Sequence, residues 1–263
     1  MKKTISFIII ALVTCSTFAQ DLYIGSFYVT TSDEEKLYGD GGDRWATRRN
    51  IICDMFNFEQ PDVLGLQSVT EAQVGNLTTR MSTYKAAKDI LYSRTLVLED
   101  SGHVSEMPEG STCFWARLKK EERSFYVFNI FFSTDNSIAN ASTTRILAAV
   151  DEINTEGLPY FVVGNLGSSD KKTPYSRMST RYQDCYKKAP VVSAEYGTVN
   201  NFDLETNHSA DRFDFVFASK DVTVNAYGQL QYGYYTHESD GSYKRRLPST
   251  HFPVMAKVSL GQY

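Results

Sequence analysis

Leu247-Pro248-Ser249-Thr250-His251-Phe252-Pro253-Val254 sets one histidine in a proline-bounded loop, directly ahead of residues 254–259, whose apolar character reads as a strand. A histidine in such a loop is the commonest general base. Its neighbour Thr250 offers only a hydroxyl, a poor ligand for a hard divalent cation, which prefers carboxylate oxygen. The segment has the character of an active-site loop with one of its acids missing.

Upstream, strand and helix patterns alternate. Residues 22–30 alternate as a strand, 45–58 carry apolar residues at helical spacing, and Val63-Leu64-Gly65-Leu66-Gln67 reads as a buried strand entered through Pro61-Asp62. A helix capped at Thr70 is expected over 70–81, strands over 94–98 and 113–118, and 125–132 is a near-continuous apolar run. A helix over 142–153 precedes a strand over 160–163 that ends at Gly164; further strands are expected over 212–218, 222–226 and 254–259. Two mixed sheets packed face to face with helices outside would bury such runs, giving a four-layered α/β sandwich whose halves both supply loops to one rim.

Composition bounds the rest. Within the 263 residues, 1–19 read as a secretory signal peptide: Lys2 and Lys3 supply the positive start, an apolar run follows, and Thr17-Phe18-Ala19 gives the cleavage pattern. A periplasmic or secreted location is expected. Lipoprotein anchoring through Cys15 is the weaker alternative, because Thr14 is an unusual residue before a lipidated cysteine. No linker or repeat divides 20–263, which reads as a single domain with no transmembrane segment. The net charge of −4 gives no strong nucleic-acid footprint, and Lys244-Arg245-Arg246 reads as a solvated loop. Cys53, Cys113 and Cys185 form no CxxC pair; one disulfide is allowed, and the odd count leaves at least one thiol.

Seven segments in order carry a resemblance. They are Trp45-x-x-Arg48, Pro61 to Gln67, Leu98-Glu99-Asp100-Ser101-Gly102 with Ser105-Glu106-Met107-Pro108, Phe125-Tyr126-Val127-Phe128-Asn129, Gly197-Thr198-Val199-Asn200, Arg212-Phe213-Asp214-Phe215-Val216-Phe217, and Pro248 to Val254. The chain resembles the endonuclease/exonuclease/phosphatase family, the divalent-metal phosphoesterases related to deoxyribonuclease I, and among them its exported bacterial members. The resemblance runs from Leu22 to the C-terminus and implies the same four-layered fold.

Carried across position by position, the resemblance implies a degenerate site. Tyr28 stands where the family has the asparagine ending its first strand, and Ser68 where it has the metal-holding glutamate. Phe131 replaces the histidine of Asn-x-His; Asn165 and Gly167 replace the polar residues of Gly-Asp-x-Asn; Thr250 replaces the aspartate before the last histidine. His251 and its carboxylate partner Asp214 remain. The pair is a base oriented by a carboxylate, or equally a buried histidine that needs a hydrogen-bond partner. With the acids at 68, 165 and 250 gone, no metal is expected. Acids that would have to rebuild one are Asp40, Asp43, Glu71, Asp170, Asp203 and Asp211.

The expected function is that of a pseudoenzyme, binding an unknown protein or small phosphorylated ligand through the former active-site rim. Tyr232, Tyr234 and Tyr235 are a candidate recognition patch. The alternative is an active phosphoesterase or phosphodiesterase using Mg²⁺ or Mn²⁺ in a rearranged site.

Overall fold

The computed structural model describes residues 20–194, 197–203 and 211–261. The expected leader at 1–19, with Cys15, lies outside them. In chain order the first half runs β1 (Gln20–Tyr28), α1 (Glu35–Tyr38), a 3₁₀ turn at Gly41–Asp43, α2 (Trp45–Glu59), β2 (Val63–Gln67), α3 (Glu71–Arg80), β3 (Tyr84–Ala87), β4 (Ile90–Ser93), β5 (Val97–His103), β6 (Thr112–Lys120) and β7 (Arg123–Phe131). The second half adds α4 (Asn136–Ile153), β8 (Tyr160–Asn165), α5 (Thr173–Arg181), β9 (Gln183–Asp184), α6 (Cys185–Lys188), β10 (Val192–Ser193), β11 (Asp214–Ala218), β12 (Val222–Gln229), β13 (Tyr234–His237), β14 (Tyr243–Arg246) and β15 (Val254–Leu260).

These strands form a seven-stranded sheet, β10-β12-β15-β1-β2-β4-β3, a six-stranded sheet, β5-β6-β7-β8-β11-β9, and the hairpin β13-β14. Both large sheets are mixed: β1 and β2 run parallel while β1 and β15 run antiparallel, and β7 and β8 run parallel while β8 and β11 run antiparallel.

Alternation along each strand explains the layers. Leu22 and Ile24 of β1, Phe125 and Val127 of β7, Phe161 and Val163 of β8, and Ala256 and Val258 of β15 point between the sheets and form one core. Their neighbours point outward: Phe27, Leu64 and Leu66 pack on α2 and α3, whereas Phe128, Val162, Phe215 and Phe217 pack on α4 and α5. The result is the four-layered sandwich expected from the sequence. Gly65 lies where the sheets come close, since a Cβ there would fall 2.5 Å from Asn129 Oδ1 and 2.6 Å from Val163 Cγ2.

Three local expectations are corrected. The helix expected over 142–153 begins at Asn136, because the Asp135 carboxylate accepts from Ser137 and Ile138 N–H at 2.8 and 3.0 Å and caps it six residues earlier than its apolar stripe shows. Of the strand expected over 94–98, residues 94–96 are the link between β4 and β5 and only 97–98 are extended, as the start of β5, which continues to His103 and so contains Leu98 to Gly102. β11 starts at Asp214, and Arg212 ahead of it turns its guanidinium onto Asp184 at 2.7 Å. Cys53, Cys113 and Cys185 are all free and buried, so the allowed disulfide does not form.

Candidate functional site

The C-terminal ends of β1, β2, β7 and β8 meet the starts of β11 and β15 at one rim. The site positions Tyr28, Ser68, Phe131, Asn165, Gly167, Asp214, Thr250 and His251 lie at or beside these strand ends. His251 Nδ1 stands 2.7 Å from Asp214 Oδ2, with the Asp214 side chain 1% exposed and that of His251 12%. The other Asp214 oxygen accepts from Asn165 Nδ2 at 2.8 Å, and Asn165 Oδ1 accepts from Gly167 N–H at 2.8 Å. An aspartate at 165 would set two buried carboxylates side by side, where both cannot ionise cheaply; the amide instead gives Asp214 a donor. The Asp214 and Phe213 N–H groups both donate to Thr198 Oγ1, at 3.2 and 3.0 Å.

Tyr28 covers the base. Its ring lies on the His251 imidazole with centroids 4.0 Å apart and planes 8° apart, and Phe131 meets Tyr28 edge-on at 6.0 Å. The Tyr28 hydroxyl donates to Glu34, and so does the Ser68 hydroxyl. Glu34 also accepts from Thr31 N–H at 2.8 Å and from the Thr31 hydroxyl at 3.0 Å. The carboxylate absent at 68 is therefore present in space, supplied by the loop after β1, but it is taken up by hydroxyl and amide donors. Burial alone would raise the Glu34 carboxyl; hydrogen bonds from Ser68, Tyr28 and Thr31 outweigh it and hold the group below its ordinary value. Burial, reinforced by Glu34, pushes the Tyr28 phenol well above its own, so it stays a donor.

Thr250 is likewise occupied. Its hydroxyl lies 2.6 Å from Thr30 Oγ1, and its N–H donates to the same oxygen at 3.1 Å. Arg48 anchors both loops from beneath: fully buried, it donates to the carbonyls of Val29 (2.9 Å), Thr30 (3.0 Å), Asp43 (2.6 Å) and Pro248 (2.9 Å), and pairs with Glu35 at 2.8 Å. Behind the rim, Ser26, Gln67 and Asn129 form a buried polar chain through bonds of 3.1 and 2.6 Å.

This donor set does not fit a hard divalent cation. Mg²⁺ asks for free carboxylate oxygen in near-octahedral array, and here Glu34 is capped, Ser68 and Thr250 are engaged, and Asn165 donates. Four of the six acids considered for a rebuilt site face cations instead: Asp40 and Asp43 hold Arg246 at 2.5 and 3.1 Å, Asp170 holds Arg212 at 3.3 Å, and Asp211 pairs with Lys171, while Glu71 is exposed at the start of α3. Among the described residues no three or more His, Cys, Asp or Glu are grouped to hold a metal. His103 and His237 are exposed strand residues. The tyrosine patch is broken up: Tyr234 is buried, Tyr232 packs on the core, and Tyr235 is 67% exposed.

Glu34 is the functional residue the sequence reading missed. Thr31-x-x-Glu34 is the signal that could have found it, the pattern in which a hydroxyl and a carboxylate each reach back to the other's backbone, and both bonds form.

No protein-family model matches the chain, and no curated protein sequence does. Solved structures do. An endonuclease/exonuclease/phosphatase family protein from Bacteroides thetaiotaomicron superposes with a TM-score of 0.84 at 21% identity, over 94% of this chain and 100% of that one. A mannosyl-6-phosphatase from the same organism gives 0.80 at 22% identity, over 90% and 99%. Truncated Caenorhabditis elegans TDP2 gives 0.69 at 18% identity, over 91% and 98%. The chain has the deoxyribonuclease I-like fold of these proteins.

Proposed function

We propose that this chain is an exported member of the endonuclease/exonuclease/phosphatase family whose hydrolytic centre has become part of a binding cleft. The observation that carries the reading is the closed circuit of Tyr28, Glu34 and Ser68 against His251. A phosphoesterase of this fold needs carboxylates open to a cation and donors aimed at a developing phosphate charge. Here the Glu34 carboxylate is closed off by hydroxyls, and aromatic rings from 28 and 131 take the places of polar groups. His251 and Asp214 retain the geometry of an oriented base, but a base alone supplies only part of the rate, commonly about 10²- to 10⁴-fold. Export rests on the leader-like pattern over 1–19. The occupant of the cleft is a protein or a small ligand, with no cofactor required.

The second reading, an active Mg²⁺- or Mn²⁺-dependent phosphoesterase with a rearranged site, is favoured by one observation, the 2.7 Å contact between His251 and Asp214. Hydrolysis of bis(p-nitrophenyl) phosphate with either cation separates the two. The binding reading expects no turnover above that of His251→Ala; turnover abolished by that substitution would establish the enzyme.

A further inference from the structure

At the β9 edge of the six-stranded sheet, α5, β9, α6 and the β11–β12 turn line a second concavity of about 560 Å³. It lies away from the rim: β11 runs from Asp214 at the rim to Ala218, about 13 Å along the strand, and Lys220 follows beyond. The volume is that of a small-molecule site. Lys187, Lys188 and Lys220 line it, together with Ser179, Thr180 and Gln183.

The three ammonium groups are not balanced from within the wall. Asp184 lines the cavity too, but its oxygens are already taken: Oδ1 accepts from Tyr186 N–H at 3.1 Å and Arg212 Nη1 at 3.3 Å, and Oδ2 from Arg212 Nη2 at 2.7 Å and the Tyr175 hydroxyl at 2.8 Å. Lys187 Nζ lies over the Tyr175 ring, 5.0 Å from its centroid, so the buried group that neutralises Asp184 also positions one of the cations. Among the described residues Lys188 and Lys220 have no carboxylate partner, in a chain whose net charge is −4. Cations suit a helix C-terminus, but α6 is a single turn of four residues, and Lys220 arrives from a different element.

The uncharged groups of the wall are acceptors. The Ser179 and Thr180 hydroxyls both donate to the Ser176 carbonyl, at 3.2 and 2.8 Å, and have only lone pairs left to offer. The Gln183 amide nitrogen donates to the Ser219 and Val222 carbonyls, at 2.8 and 2.9 Å, which leaves its oxygen as the free function. Three cations beside three acceptors call for an anion carried on a body that brings its own hydroxyl donors. A phosphate monoester, close to doubly charged at neutral pH, answers three ammonium groups better than a single carboxylate does.

We infer that this cavity binds a phosphorylated polyol, with its phosphate among Lys187, Lys188 and Lys220 and its hydroxyls donating to Ser179, Thr180 and Gln183. The site is separate from the rim and does not depend on how the rim is read.

Calorimetry on the full protein with glucose 6-phosphate, inorganic phosphate and glucose tests it. Glucose 6-phosphate should bind, inorganic phosphate should bind about tenfold more weakly because it lacks the hydroxyl-bearing body, and glucose should give no heat at millimolar concentration. Lys188→Gln combined with Lys220→Gln, both exposed, should weaken glucose 6-phosphate about tenfold with thermal unfolding unchanged. His251→Ala at the rim should leave that binding as it is. No binding of glucose 6-phosphate, glucose or inorganic phosphate binding as tightly as the sugar phosphate, or affinity lost in His251→Ala but kept in the lysine variant would overturn the inference. The same chemistry on a membrane is tested with vesicles carrying phosphatidylinositol 4-phosphate: no cosedimentation is expected, and cosedimentation without binding of the soluble probe would overturn the assignment to a free ligand.

Discussion

Tyr28 lies parallel to the imidazole of His251, ring centroids 4.0 Å apart, while its hydroxyl is held by the Glu34 carboxylate. One side chain thus covers the base and takes up the Glu34 carboxylate. Tyr28→Phe keeps the stack and removes the donor, and is expected to cost about 1 kcal/mol in denaturant unfolding. Tyr28→Ala removes both and should cost about 2–3 kcal/mol. In NMR spectra the ring-current shift of the His251 ring protons should survive the first change and vanish in the second.

Glu34 sets an acid-side dependence of stability. Its folded-state carboxyl lies below the ordinary value of 4.5. Its contribution is therefore fully present above that value and is lost as pH falls through the folded-state one. Unfolding free energy measured from neutral pH downward should drop less steeply below about 4.5 in Glu34→Gln than in the wild type. Equal slopes would show that Glu34 is not held by the circuit.

Arg48 is buried with its partner Glu35 and carries four backbone carbonyls besides. Arg48→Met leaves a buried carboxylate unpaired and should destabilise by about 3–5 kcal/mol. Adding Glu35→Leu should recover part of that loss, because the stranded charge is then gone. Chemical denaturation of both variants checks the order.

Gly167 and Gly157 separate backbone strain from crowding. Both are left-handed, at φ +61° and +67°, but a Cβ at 167 would fall 2.0 Å from the Ser133 carbonyl oxygen, whereas nothing lies within 4 Å of one at 157. Gly157→Ala should cost about 1 kcal/mol, the penalty of the conformation alone. Gly167→Ala should cost several times more, because the loop holding Asn165 has to move, and thermal unfolding will rank the two.

The layers were legible because burial fixes them. Outward and inward apolar residues alternate along β1 and β7, and a period of two admits few other packings. The eight site positions could be placed together because Tyr28, Phe131 and Asn165 end strands, Asp214 starts one, and Ser68, Gly167, Thr250 and His251 lie in the loops beside such ends. What escaped depends on side chains crossing between loops. Glu34 reaches Ser68 across 34 residues of chain, and Arg48 reaches Pro248 across 200. Neither contact leaves a periodic trace. The helix start at Asn136 escaped for a different reason: its first turn is polar, and only the Asp135 cap marks it.

If the rim, with its Glu34 carboxylate taken up by hydrogen bonds, has no place for a catalytic cation, the wild type will take up neither Mg²⁺ nor Mn²⁺. Calorimetric titration with Mg²⁺ and Mn²⁺ tests it, run on the wild type beside a variant carrying Ser68→Glu, Asn165→Asp and Thr250→Asp, with Glu34→Ala to clear the space Glu34 now fills. No binding heat is expected from the wild type, and binding is expected from the variant. Stoichiometric binding by the wild type would contradict it.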